Sequence, residues 1–215
     1  STHSKFSKSS ILTIDKKSTY NLKRKLEPIS DRFFDNMLNL DENIEVMIKD
    51  SVRVCDKGDL NLKDYSHIKK DIDILVPYLQ STLKSKQTGV NILLYGLPGT
   101  GKTELSKTIA KTIKTKLFEI SYADEDDEPI DGKKRLKAYK TAQSLLTNQK
   151  TLLMYDEAED IFESSSGFFS PPSRQRDKAW INRVLETNTI PTIWITNNIH
   201  SIDNALVRRF DMSIE

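Results

Sequence analysis

Apolar residues recur along this chain with two different spacings, and the switch between them divides it. From Ser30 to about Cys55, the residues Phe33, Met37, Leu40, Ile44, Met47 and Ile48 recur at steps of three and four, the period of a helix with one buried face. Ser30 or Asp31 is placed to cap its start, and the stretch reads as one helix or as two broken near Asp41. Asp56 to Asp64, containing Gly58, reads as a connector. A second helical stretch runs through Tyr65, Ile68, Ile72, Leu75, Leu79 and Leu83, with a kink or restart expected at Pro77.

From Val90 onward, short apolar runs alternate with helical patterns. Strands are expected at 90–95, 117–122, 151–155, 190–196 and 212–215. Helices are expected from Lys102, over 133–147 and 175–186, and in a short piece at 201–209. Strands without polar alternation, joined by helices of this length, predict right-handed crossovers in a sheet covered on both faces. The fold class is therefore α/β: a three-layer αβα sandwich on a mostly parallel five-stranded sheet, preceded by an N-terminal helical segment. The divisions are a flexible start at 1–19, rich in serine, a helical segment at 20–63 and the α/β part at 64–215.

The first strand leads into Gly96-Leu97-Pro98-Gly99-Thr100-Gly101-Lys102-Thr103, followed by Glu104 and an amphipathic helix with Leu105, Ile109, Ala110 and Ile113 on one face. This fits G-x-x-x-x-G-K-[ST] in the strand–loop–helix context that the pattern requires. Glycines let the backbone curl with its N–H groups inward, and the loop opens onto a helix N-terminus, which favours phosphate. Lys102 is expected to reach the β- and γ-phosphates, and the Thr103 hydroxyl to ligate Mg²⁺. The third strand ends in Asp156-Glu157. Such a pair separates two tasks: Asp156 holds the metal and Glu157 orients and polarises the attacking water. ATP and Mg²⁺ are the cofactors expected.

Composition narrows the setting. At 37% hydrophobic and 30% charged, the chain reads as a globular domain rich in surface helices. Net charge is +2 with acids and bases interspersed, so no bulk field draws it to nucleic acid or to a membrane surface. A single cysteine, Cys55, excludes an internal disulfide framework and reads as a structural thiol in a reducing compartment. No apolar run approaches the roughly 20 residues that span a bilayer, and residues 1–10, Ser- and Lys-rich with no apolar segment behind them, are not expected to act as a signal peptide. The expected location is cytoplasmic.

Three segments together resemble the AAA family of ATPases, in the form of the bacterial-type central core domain: the phosphate loop, Met154-Tyr155-Asp156-Glu157-Ala158-Glu159-Asp160-Ile161-Phe162, and Ile193 through Asp211. The match covers about 64–215. The resemblance implies that Asn197, ending the fourth strand, is the sensor that positions the lytic water. It also implies an arginine finger at Arg208 or Arg209, reaching a neighbouring subunit's nucleotide. The family's arginines are usually separated by a few residues, whereas here they are adjacent; Arg209, directly before Phe210-Asp211, aligns best. The resemblance further implies self-association into a ring, a hexamer in the full-length protein, acting on a protein substrate. Charge and hydropathy, not the resemblance, give the expectation of no membrane or nucleic-acid partner.

Two departures qualify this. The family's helical lid is not reached by Glu215, so the segment is expected to be a fragment of a longer protein with a low ATPase rate of its own. The region after the second strand, 123–132, is acidic and lacks the aromatic triplet of polypeptide-threading members, so it reads as a pore loop of other chemistry or as a solvated loop. Phe168 and Phe169, in a Ser/Pro-rich stretch at 164–176, mark a contact surface or an insertion. Trp180 reads as core, Asn182 as facing a neighbour, and His67 as a surface histidine beside Ile68. Beside the remodelling ATPase stand two other readings, a nucleotide-gated scaffold and a DNA-associated loader.

Overall fold

The computed structural model describes residues 12–14, 26–28, 45, 48–49, 51–123, 129–162 and 172–215. In chain order the strands are Leu12–Ile14 (β1), Leu26–Pro28 (β2), Val52–Val54 (β3), Asn91–Tyr95 (β4), Lys116–Ile120 (β5), Thr151–Tyr155 (β6), Thr192–Thr196 (β7) and Met212–Ile214 (β8). The α-helices are Lys69–Ser85 (α1), Lys102–Thr112 (α2), Gly132–Leu145 (α3), Glu159–Phe162 (α4), Pro172–Thr187 (α5) and Asn204–Val207 (α6). Contacts group these into two compact units, Ser1–Arg53 with Ile120–Asn148, and Val54–Glu119 with Gln149–Glu215.

In the first unit β1 and β2 pair antiparallel, with Leu12 opposite Pro28 and Ile14 opposite Leu26. β1 thus lies inside the stretch 1–19 that reads as flexible; Thr13 and Ile14 are β-branched and suit an extended pair. Most of the helix expected from Ser30 falls outside the described residues. Its C-terminal end differs from the expectation, because Val52–Val54 is strand. The N–H groups of Ser51 and Val52 both donate to Ile48 O, at 2.9 and 2.8 Å, and this tight turn breaks the helical period. A three-residue strand is too short to show its own alternation. In α3, Asp131 caps the start by accepting from Lys134 N at 2.8 Å, and Leu136, Tyr139, Ala142 and Leu146 are buried.

The second unit carries most of the sheet. Among the described residues the strand order is β3-β5-β6-β7-β4-β8, six strands where five were expected; the addition is β3, whose Val52 and Arg53 group with the first unit. The pairings β5–β6, β6–β7, β7–β4 and β4–β8 are all parallel. β6 and β7 are buried at every position, as a sheet packed on both faces demands. Ile92, Leu94, Leu152, Met154, Ile193 and Ile195 join Leu75, Leu79, Ile109 and Ile113 from the helices in one core. On the other face Trp194 stacks on Tyr155 at 5.1 Å between centroids and meets Phe162, which in turn meets Phe210 edge-on at 6.1 Å.

Helix α1 is continuous across Pro77. The break lies earlier, at Tyr65 (φ −102°, ψ 40°), within a 3-10 segment at Leu62–Ile68. Pro77 is exposed, so the carbonyl it deprives of a partner can be solvated, whereas Tyr65 is buried and anchors the bend.

A buried polar node fixes the start of β4. Asn91 Nδ2 donates to Leu185 O at 2.6 Å and to Gly89 O at 3.1 Å, and Asn91 Oδ1 accepts from Trp194 Nε1 at 3.0 Å. The Asn91 N–H donates to Asp211 Oδ2 at 2.8 Å, and Asp211 N–H returns a bond to Asn91 O. A fully buried amide is tolerated because every polar atom is partnered.

Candidate active site

The C-terminal ends of β4, β6 and β7 carry the candidate residues. β4 ends at Tyr95 and the chain enters the loop through Gly96 (φ +135°). Gly99 (φ +80°) and Gly101 (φ +87°) are left-handed, and a Cβ built on either meets nothing within 4 Å. Conformation is therefore what demands glycine there, and the space over the loop is open. Gly101 is the N-cap of α2, with no side chain capping it, so the first-turn N–H groups face the loop. Lys102 Nζ donates to Gly96 O at 2.9 Å and to Leu97 O at 2.7 Å, and Thr100 Oγ1 also donates to Leu97 O. Burial pushes the Lys102 ammonium down from its usual range, while the charges of Asp156 and Glu159 hold it up. Leu97 and Pro98 form an exposed tip, Leu97 at 75% exposure.

Thr103, the second residue of α2, donates from Oγ1 to Asp156 Oδ2 at 2.7 Å. Asp156 Oδ1 accepts from Glu157 N at 2.9 Å, which closes the turn leaving β6. Glu157 holds φ +52°, a left-handed conformation that costs a non-glycine residue about 1–2 kcal/mol. The strained backbone leaves Glu157 exposed at the mouth of the site while Asp156 turns inward.

Glu159, not singled out as a site residue in the sequence, joins these parts. It opens the one-turn helix α4, three residues beyond Asp156. Its Oε1 accepts from Thr196 Oγ1 at 2.9 Å and from the Asn197 N–H, so the turn after β6 is pinned to the end of β7. The Asn197 side chain is exposed beside it. The signal that marks Glu159 is a third acid in Asp156-Glu157-Ala158-Glu159, but its partners lie 37 and 38 residues away.

Lys102, Thr103, Asp156, Glu157 and Asn197 thus share one edge of the sheet. Arg208 and Arg209 do not. They precede β8 and lie at its N-terminal side, where Asp211 is bonded to Asn91. Arg209 forms an ion pair with Glu186 of α5 at 2.6 Å, both side chains about half exposed, and Arg208 is exposed. Glu104 turns toward the connector: its Oε1 accepts from Leu60 N at 3.1 Å. Lys111 Nζ reinforces that contact through Gly58 O and Leu60 O. His67 is exposed, with its ring 6.4 Å from that of Tyr65. Trp180 and Asn182 are half-buried. Positions 124–128 and 163–171, including Phe168 and Phe169, lie outside the described residues. The helix α5 begins at Pro172, within the Ser/Pro-rich stretch that reads as irregular.

A glycine cradle open above a helix N-terminus, with a lysine inside it, suits a nucleotide's phosphates. The hydroxyl–carboxylate pair Thr103–Asp156 is an all-oxygen donor set of the kind Mg²⁺ takes. Fold and site together define a P-loop nucleotide-binding αβα domain. The family model for the ATPase family associated with various cellular activities (AAA) matches residues 92–215, more than half of the chain. The chain belongs to the AAA family, whose members are ATP-hydrolysing enzymes. Among curated relatives, the replication factor C large subunit of Picrophilus torridus is 29% identical over 155 residues, 64% of this chain and 36% of that protein. The ATP-dependent zinc metalloprotease FtsH of Malacoplasma penetrans is 25% identical, over 84% of this chain and 23% of that protein. Fidgetin-like protein 1 of Caenorhabditis elegans is 24% identical, over 86% of this chain and 32% of that protein. The chain therefore spans about a quarter to a third of the length of these relatives. The FIGL-1 AAA domain solved in complex with ADP matches at 20% identity and a TM-score of 0.54, covering 81% of this chain and 61% of that one, which shows the fold. Among the described residues no helix is long and apolar enough to cross a membrane.

Proposed function

We propose that this chain binds and hydrolyses ATP with Mg²⁺ as one subunit of a ring that remodels a protein substrate. The observation that supports the reading is the Thr103–Asp156 bond, which joins a hydroxyl and a carboxylate, oxygen donors of the kind Mg²⁺ takes, at the foot of the phosphate loop. Lys102, now holding the loop's own carbonyls, exchanges them for phosphate oxygens when ATP enters. The loop N–H groups and the start of α2 orient the triphosphate. Thr103 and Asp156 would hold Mg²⁺, which offsets charge on the phosphates. Glu157 polarises the attacking water and takes its proton, and the amide of Asn197 orients that water. An arginine from a neighbouring subunit completes the charge.

Steady-state phosphate release with ATP and Mg²⁺ tests the activity, and native mass measurement of Glu157→Gln with ATP tests the assembly. The expected result is a trapped, ATP-bound oligomer with turnover abolished. A variant that stays monomeric and turns over ATP at the parent rate would overturn the reading. A second reading, a DNA-associated loader, draws on the similarity to the replication factor C large subunit. Against it stands a net charge of only +2 without a basic stripe. Salt-dependent DNA titration separates the two.

A further inference from the structure

Two adjacent parallel strands, β6 and β7, deliver the residues proposed for hydrolysis, and their ends must hold a fixed spacing for one water to meet both Glu157 and Asn197. The ladder cannot fix that spacing, because β6 ends at Tyr155 and β7 at Thr196. Beyond the ladder, three bonds stitch the ends together. Ala158 N–H donates to Ile195 O at 2.9 Å, Thr196 Oγ1 donates to Glu159 Oε1 at 2.9 Å, and Asn197 N–H donates to the same Oε1. The Thr196 hydroxyl also accepts from Asn198 N at 3.1 Å, so a chain of bonds leads from Asn198 through Thr196 to Glu159.

Glu159 holds this place at a cost. Its Oε2 is buried and, among the described residues, has no hydrogen-bond partner, and a charged oxygen without a donor is costly. One side chain nevertheless ties the turn after β6 to the sensor strand, through the Thr196 hydroxyl and the Asn197 N–H.

We propose that Glu159 is a positioning residue for hydrolysis: by gripping Thr196 and the backbone at Asn197, it sets where the Asn197 amide stands relative to Glu157. This rests on the ATPase reading above. In this role Glu159 acts through Asn197 and not on the reacting atoms. Its removal should leave ATP binding intact and let the sensor drift, and a drift of about 1 Å costs up to roughly a hundredfold in rate.

The test compares Glu159→Ala, Glu159→Gln and Thr196→Val in the full-length protein, by steady-state phosphate release and by equilibrium binding of a fluorescent ATP analogue. Glu159→Ala should lower kcat by about tenfold to a hundredfold, with KM and analogue affinity within about threefold of the parent. Glu159→Gln keeps an oxygen where Oε1 stands and should recover most of that loss. Thr196→Val, which removes one donor and leaves the carboxylate in place, should fall between them. It keeps the question decidable if Glu159→Ala fails to fold. Parent-like kcat in Glu159→Ala or in Thr196→Val overturns the inference, as does a kcat loss matched by an equal loss of analogue binding. A parent that binds the analogue but releases no phosphate overturns the ATPase reading and this inference with it. A parent that turns over ATP alongside an unimpaired Glu159→Ala overturns this inference alone.

Discussion

The hydroxyl of Thr103 lies 2.7 Å from Asp156 Oδ2, joining two residues 53 positions apart at the foot of the phosphate loop. If this pair is the metal seat, the two members fail differently when removed. Asp156→Asn keeps a hydrogen-bond acceptor but removes the pair's negative charge, which draws a divalent cation. Thr103→Ser keeps both hydroxyl functions. Asp156→Asn should lower kcat by at least about a hundredfold, and Thr103→Ser by less than about tenfold. Titrating Mg²⁺ against phosphate release checks this, with the Mg²⁺ midpoint rising in the asparagine variant.

Strain at Glu157 gives a prediction in which stability and activity part. Its φ of +52° is unstrained for glycine and costs most side-chain-bearing residues energy. Glu157→Gly should therefore raise unfolding free energy by about 0.5–1 kcal/mol after the entropy of the glycine is counted, while abolishing turnover. Glu157→Ala should abolish turnover without the gain. Chemical denaturation of both variants beside a phosphate-release assay makes the comparison.

The ion pair between Arg209 and Glu186 distinguishes the two arginines. Both partners are about half exposed, so the pair adds only about 0–1 kcal/mol to stability. Its expected effect is directional: it draws Arg209 along α5 within its own chain and leaves Arg208 as the group presented outward. Arg208→Ala should then lower the ATPase rate of assembled protein by about a hundredfold or more. Glu186→Gln should change that rate by less than about threefold. Mixing Arg208→Ala with Glu157→Gln subunits checks whether the arginine acts on a neighbour, because mixed assemblies would regain turnover at some boundaries.

The thiol of Cys55 gives a pH prediction. Burial first, then the charge of Glu119, pushes it up to about 12 from an ordinary 9.0. The folded state therefore holds the proton more tightly than the unfolded one. Stability from this group is full below about pH 9 and is lost as pH rises toward 12. Because the thiolate is the nucleophile, iodoacetamide should label native protein at pH 8 far more slowly than protein in denaturant. Cys55 is the sole cysteine, so total mass gain reports it directly.

Much of this was legible in the sequence where the determining pattern is local. The run Thr151–Tyr155, the glycines ahead of Lys102 and the apolar face of α2 each carry their own periodicity or turn chemistry. β3 was hidden because three residues show no alternation and because the turn at Ile48 interrupts a helical pattern from within. Pro77 misled for a related reason: the sequence marks where a bond is lost but not that the position faces solvent. Glu159 was unreadable because its meaning lies in Thr196 and Asn197, brought near only when β6 and β7 pair. The ion pair of Arg209 with Glu186 is of the same kind, made by an approach between α5 and the segment before β8.

The bonds between Asn91 and Asp211 have a consequence for symmetry. They tie the arginine segment to the beginning of β4, while the phosphate loop leaves its end, about 13 Å further along the strand at 3.3 Å per residue. On the proposed reading, the arginine that is given and the phosphate loop that receives one therefore lie at opposite ends of one strand. A two-fold contact through either end alone would then leave every arginine idle. A head-to-tail contact, repeated by rotation until it closes, would give each phosphate loop an arginine and leave none over.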